Sequence, residues 1–256
     1  MTTTIALPQR GWLFDLDGTV YLGEALLPGA GETIAALRSA GRRVAFLSNK
    51  PLYTRGDYAE KLTRLGIPTT AEEVVNSSVV LARYLRKLDP GAPVFVIGEL
   101  QEHGFEVRGD ADVRWVVIAF DRTFDYGKLN TALQAVRRHG ARLIATNPDR
   151  TCPVEGGEIP DCAGMIAAVE AVTGQRVEAI VGKPSPVILE VALETLGVAA
   201  RDCVIVGDRL ETDIVMGRSL GLATVLVLTG VTRADDPRIA EIGPDLVLPA
   251  IRALLG

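Results

Sequence analysis

Two carboxylates one residue apart end the apolar run of Trp12-Leu13-Phe14-Asp15-Leu16-Asp17-Gly18-Thr19. Neighbouring charges of one sign repel, so the pair is costly unless a cation is bound beside it. Oxygen donors in a compact acidic turn suit a hard ion, Mg²⁺ first among them. An ordinary strand-end turn accounts for the same residue types, because Asp and Gly are both turn formers. An EF-hand is excluded, since its glycine belongs at the sixth loop position and Gly18 comes fourth.

Three further stretches carry residues with chemistry in them. Ala45-Phe46-Leu47-Ser48-Asn49 ends a strand pattern in small hydrogen-bonding groups, which with the following backbone N–H groups could hold phosphate oxygens. Val181-Gly182-Lys183-Pro184-Ser185-Pro186 sets one lysine just before a helix pattern. Val204-Ile205-Val206-Gly207-Asp208 runs into a second acidic segment that reaches Asp213. Each has a plainer explanation as a cap or a turn, and their joint order carries more than any one alone. A P-loop is dismissed, because Val177 stands where its first glycine belongs and Pro184 where its Ser/Thr belongs. No strand is followed by GxGxxG.

The elements that must position these residues alternate along the chain. Apolar runs predict strands over Trp12–Asp15, Arg43–Ser48, Val94–Ile97, Trp115–Ala119, Arg142–Thr146, Cys203–Gly207 and Ala223–Leu228. Helical patterns lie between them, over Gly29–Ala40, Leu129–His139, Asp161–Thr173 and Pro186–Leu196. Gly41, Gly140, Gly174 and Gly197 stand where a left-handed cap favours glycine. Strand then helix, repeated, implies an α/β fold with a parallel sheet covered on both faces. Ligands of such sheets collect at the carboxyl ends of the strands, where Asp15 and Asp17 sit. The segment Ala40–Asn49 echoes His139–Asn147. Either any helix-glycine-strand unit looks this way, or two α/β layers each end a strand in polar residues beside one cleft. Trp12 and Trp115 read as core, and His103 and His139 as helix-associated residues away from the motifs.

Composition bounds the rest. A chain of 256 residues, 48% of them apolar, can bury a large core. The formal charge of -5 and the lack of any Lys/Arg run argue against nucleic acid as a partner. Cys152, Cys162 and Cys203 form no CxxC pair, which gives no support for zinc and reads as a reducing compartment. The first residues lack the basic start and apolar core of a secretory signal, and no apolar run approaches the ~20 residues of a membrane helix. The expectation is a soluble, cytoplasmic protein with no membrane partner.

Asp15-Leu16-Asp17-Gly18-Thr19, Ser48-Asn49, Lys183 and Gly207-Asp208 with Asp213 resemble, in order and wide spacing, the four motifs of the haloacid dehalogenase-like hydrolase superfamily. The long stretch between Asn49 and Lys183 resembles subfamily IIA, in which an α/β cap is inserted there. Thr146-Asn147-Pro148-Asp149 and Ala163–Glu170 resemble that cap. The likeness is to the NagD-type, 4-nitrophenyl-phosphatase-like and arabinose-operon sugar phosphatase groups. It implies a Rossmann-like parallel-sheet core over residues 1–79 and 180–256, and an inserted cap of the C2 type over residues 80–179.

The resemblance also implies roles. Asp15 is the nucleophile that forms an aspartyl-phosphate, and Asp17 the general acid and base. The presence of Asp17 favours phosphatase over dehalogenase chemistry. Mg²⁺ is implied at Asp15, Asp208 and the Asp17 main-chain carbonyl, with Asp213 ordering the metal's waters. Lys183, Ser48 and Asn49 are implied phosphoryl-binding groups. Asn147, Asp149 and Arg150, in the loop before Asp161, are candidates for contact with the organic part of the substrate. Lys50 could reach the same cleft, and Gly164-Met165 are read as helix packing that the likeness keeps in play. The expected substrate is a small phosphorylated metabolite, a sugar or glycerol phosphate favoured, and pairing of two copies through the cap is a further expectation. The alternatives are a phosphotransferase using the same intermediate and a non-catalytic phosphometabolite-binding module.

Overall fold

The computed structural model describes residues 7–100, 104–154 and 156–255, so His103 lies outside the described residues. The chain divides into two compact units. Met1–Ser48, Arg55–Val75 and Ile188–Gly256 form the first, and Asn49–Thr54 with Asn76–Val187 the second. The second unit is therefore wider than residues 80–179, and Asn49 and Lys183 both fall in it.

In the first unit the chain runs through β1 (Gly11–Asp15), a hairpin of β2 (Tyr21–Leu22) and β3 (Ala25–Leu26), α1 (Ala30–Ser39), β4 (Arg43–Ser48), α2 (Arg55–Arg64) and β5 (Val74–Asn76). The second unit holds α3 (Ser77–Leu88), β6 (Val94–Ile97), β7 (Trp115–Ile118), α4 (Tyr126–His139) and β8 (Arg142–Ala145). A hairpin of β9 (Thr151–Val154) and β10 (Gly157–Pro160), α5 (Cys162–Thr173) and β11 (Ala179–Ile180) complete it. After α6 (Pro186–Leu196) come β12 (Cys203–Gly207), α7 (Val215–Ser219), β13 (Ala223–Val227), α8 (Arg238–Ile242) and β14 (Leu246–Leu248), all in the first unit.

The first unit carries a six-stranded sheet in the order β14-β13-β12-β1-β4-β5. The pairings of β1 with β12 and β4, and of β13 with β12 and β14, are parallel. Strands later in the chain lie on both sides of β1, so the β1/β12 boundary is where the winding reverses. In a Rossmann-like sheet that reversal opens a crevice at the carboxyl ends of the strands. Every residue of β1 and β12 is buried, as a central parallel strand covered on both faces requires. Trp12, Phe14 and Phe46 anchor this core, with ring centroids 6.2 Å and 6.4 Å apart along the row.

The second unit carries its own parallel sheet, in the order β11-β8-β7-β6. Ala132, Ala135, Met165 and Val169 from α4 and α5 pack against Val116, Ile118 and Leu143 of that sheet. Trp115 is buried there, with the Arg142 guanidinium 4.1 Å from its ring centroid.

All seven strands anticipated from apolar runs occur, each within a residue of its expected ends. Gly41, Gly140, Gly174 and Gly197 all adopt the left-handed conformation. α4 starts three residues before Leu129, because Asp125 caps it by accepting the Lys128 N–H at 2.8 Å. The two echoing segments end in β4 and β8, strands of different sheets. Among the described residues, no helix is long and apolar enough to cross a membrane.

Candidate active site

Asp15 closes β1 and Asp208 directly follows β12. Phe14 pairs with Val206, so the two acids leave the sheet at one level. A π-helical turn over Leu210–Ile214 brings Asp213 to the same place. Such insertions are rare and concentrate at functional sites. Asp15, Asp208 and Asp213 are all buried, and their carboxylate oxygens lie within 4.8 Å of one another.

This cluster is electrostatically unbalanced. Asp208 Oδ2 accepts the Val231 N–H at 2.6 Å, whereas its Oδ1 is buried with no hydrogen-bond partner. Burial, then Asp15, then Asp213 push the Asp208 carboxyl up to about 8. Three hard oxygen donors and an orphaned buried acceptor fit a divalent cation such as Mg²⁺. Glycines clear the ground around Asp208. Gly18 has φ of +86°, and a Cβ there would lie 2.8 Å from Asp208 Oδ2. A Cβ on Gly230 would overlap the same oxygen. Thr229 Oγ1 donates to the Gly18 carbonyl at 2.6 Å, tying the loop after β13 to the turn after β1.

Asp17 sits in that turn, half-buried. The Leu16 carbonyl accepts N–H groups from Thr19, Val20 and Tyr21, and Gly18 N–H donates to the Tyr21 carbonyl at 2.8 Å. The Asp17 side chain is not one of the clustered carboxylates. Tyr21 is buried beneath it, and burial followed by the charge of Asp17 raises the phenol, keeping it protonated. Ser48, at the end of β4, is buried with its hydroxyl 3.3 Å from the Tyr58 hydroxyl.

The second unit gathers the other candidates. Asn49 Oδ1 accepts the Lys183 N–H at 2.7 Å, and Asn49 Nδ2 donates to the Lys183 carbonyl at 3.0 Å and to Asp149 Oδ2 at 2.9 Å. Asn147 Nδ2 donates to Asp149 at 2.8 Å and to Asp161 at 3.1 Å. Asn147 is buried, and so is Lys183. Arg150 is exposed, and its carbonyl accepts the Asp161 N–H at 3.0 Å. Lys50 is half-buried and acts with its charge on Asp161. His139 ends α4, 3.4 Å from Asp112. Thus Asp15, Asp208 and Asp213 come together in one unit, and Asn49, Asn147, Asp149 and the Lys183 main chain in the other.

The sequence did not single out Thr229, Gly230 and Val231. Leu228-Thr229-Gly230 repeats the pattern of an apolar strand running into a glycine, which marks a strand end but not its approach to Asp208. Asp161, which the sequence marks as the end of a loop and the start of a helix, also accepts from Asn147.

Comparison with known proteins gives the family of the chain. Residues 12–106 match the family model of the haloacid dehalogenase-like hydrolases, and residues 180–254 match a HAD-hydrolase-like model. The sugar-phosphatase AraL of Bacillus subtilis is 40% identical over 249 residues, which covers 94% of this chain and 90% of that protein. The glycerol-3-phosphate phosphatase of Homo sapiens is 37% identical over 257 residues, covering 88% and 80% respectively. Among solved structures, the p-nitrophenyl phosphatase from Archaeoglobus fulgidus superposes with a TM-score of 0.89 at 33% identity, over 96% of this chain and 98% of that one. The chain belongs to the haloacid dehalogenase-like hydrolase family, subfamily IIA, and is a phosphatase.

Proposed function

We propose that the protein hydrolyses small phosphate monoesters, with sugar or glycerol phosphates as its substrate class, in a Mg²⁺-dependent reaction through an aspartyl-phosphate on Asp15. An aspartate carboxylate, unlike a hydroxyl, ordinarily needs no base to act as a nucleophile, and Asp15 attacks phosphorus directly. A P–O bond forms to its carboxylate as the P–O bond to the leaving group breaks, and Asp17 gives its proton to the departing alkoxide. Asp17 then takes a proton from the water that attacks phosphorus. The bond to Asp15 breaks, releasing phosphate and restoring the carboxylate. Lys183 and Ser48 bind the phosphoryl oxygens, Lys183 as a compact positive charge. Asp15, Asp208 and Asp213 would hold a divalent cation, which would supply the charge neutralisation that a dianionic ester needs to approach several carboxylates.

The observation that carries this reading is the buried carboxylate cluster with its unsatisfied Asp208 Oδ1. The named activities of the Bacillus subtilis and human relatives support the substrate class. The test is phosphate release from 4-nitrophenyl phosphate with Mg²⁺ and in excess chelator, followed by a ranking of about a hundred phosphometabolites by kcat/KM. Turnover that survives chelation overturns the metal assignment. Phosphate passed to acceptor alcohols with none released to water makes the protein a phosphotransferase.

A further inference from the structure

Asn49 grips Lys183 by its main chain from both sides. One amide bonded to both the N–H and the C=O of a single residue fixes the two peptide planes that flank its Cα, and so the direction in which the side chain starts. An Asn amide has two hydrogens, and here one goes to the Lys183 carbonyl and the other to Asp149. No side-chain donor is left on Asn49 for a phosphoryl oxygen.

The grip is itself held. Asp149 Oδ2 accepts from both Asn49 and Asn147, at 2.9 Å and 2.8 Å. Asn147 commits its second hydrogen to Asp161 Oδ1, and its own Oδ1 accepts the Thr146 hydroxyl at 2.8 Å. Asp161 caps α5 by accepting the Cys162 N–H at 2.6 Å. The relay therefore runs from a helix N-terminus, through the side chains of Asp161, Asn147, Asp149 and Asn49, to the backbone of the lysine. On the other side, Ser77 Oγ donates to the Asn49 carbonyl at 2.7 Å and Ser78 Oγ to the Pro51 carbonyl at 3.1 Å, fastening the Asn49–Thr54 segment to the start of α3. Gly182 completes the fit. Its N–H donates to the Thr146 carbonyl at 2.7 Å, and a Cβ there would overlap that oxygen and stand 2.6 Å from Asn49 Oδ1.

We infer that Asn49, Asn147 and Asp149 are positioning residues that set Lys183, instead of ligands for the phosphoryl group or for the organic part of the substrate. The inference rests on the phosphoryl-binding role proposed for Lys183. It differs in kind from the roles that the sequence suggested for these three residues, because a positioning residue acts on whatever every substrate shares.

The test compares Mg²⁺-loaded, full-length variants on 4-nitrophenyl phosphate, glycerol phosphate and a hexose phosphate. Asn49→Ala, Asn147→Ala and Asp149→Ala each lower kcat/KM about tenfold or more, and by one common factor across the three esters. Inhibition by inorganic phosphate weakens in parallel. Asp149→Asn keeps an acceptor oxygen for both amides and stays within about threefold of the parent, which separates lost positioning from lost folding. In a Lys183→Ala background, adding Asp149→Ala costs less than about a further twofold, since the group being positioned is gone. Losses that differ about tenfold between esters would assign these residues to the leaving group and overturn the inference. An impaired Lys183→Ala protein beside an unimpaired Asp149→Ala protein would overturn the inference alone. A fully active Lys183→Ala protein would overturn the role of Lys183 and the inference with it.

Discussion

The two units each bury a cluster of acids and polar groups at strand ends, and the clusters are built on opposite principles. In the first unit three carboxylates crowd within 4.8 Å, and Asp208 keeps a buried oxygen with no partner. In the second, both hydrogens of Asn49 and both of Asn147 are bonded, and Asp149 and Asp161 each accept from two or more donors. A buried polar group without a partner raises the free energy of the fold, whereas a fully satisfied network stiffens it. The contrast separates a place built to receive a ligand from a place built to hold another residue still, although both read as strand ends rich in Asp and Asn.

The largest effect expected from breaking this comparison lies at the nucleophile. Asp15→Asn keeps the shape and loses the attacking oxygen, so Mg²⁺-dependent phosphate release should fall by at least about a thousandfold. Residual activity within about tenfold of the parent would break the assignment. The metal comes next. Mg²⁺ at about a hundred times its dissociation constant should stabilise the fold by about 2.7 kcal/mol, read as a rise in Tm. Asp208→Asn should abolish that gain, yet make the metal-free protein about 1 kcal/mol more stable, because it replaces an acid that burial and two neighbouring carboxylates keep from ionising. A metal-free Asp208→Asn protein that melts lower than its parent would show that the first cluster is not under repulsion.

How much of this was legible in the sequence follows the same division. Asp15, Asp17, Asp208 and their strands could be read because each acid directly ends a wholly apolar run, a pattern local to a few residues. The partners that complete the cluster could not. Val231 and Gly230 reach Asp208 only through the pairing of β12 with β13, which no local pattern encodes. β11 and β14, of two and three residues, are likewise defined by their neighbours and not by their own periodicity. α3 follows β5 without a break, and its start is marked only by Asn76, which accepts the Val79 N–H as its cap. Asn147 and Asp149 lie in a polar stretch that resembles a surface loop, and only the 100-residue separation closed by the Asn49–Asp149 bond reveals an internal brace.

Two smaller effects sharpen the contrast. Gly230→Ala places a methyl against Asp208 Oδ2, and moving that carboxylate should cost about 2 kcal/mol of stability and weaken the Mg²⁺-induced rise in Tm. The smallest effect is expected from Thr146→Val in the second unit. Thr146 is fully buried, and valine fills nearly the same volume, so packing is preserved while the hydroxyl donor to Asn147 Oδ1 is lost. One buried acceptor then goes without its bond, at about 1 kcal/mol, which for a chain of this length lowers Tm by about 2–4 °C. Asn147 keeps both of its own donated bonds, so kcat/KM should fall by less than about threefold and equally for every ester. The sign is what matters. Removing a polar group from the saturated network must destabilise, whereas replacing the Asp208 carboxyl by an amide must stabilise the metal-free fold. A Thr146→Val protein that melts at or above its parent would mean that Asn147 is not held as tightly as its bonds indicate, and the brace on Lys183 would lose its first link.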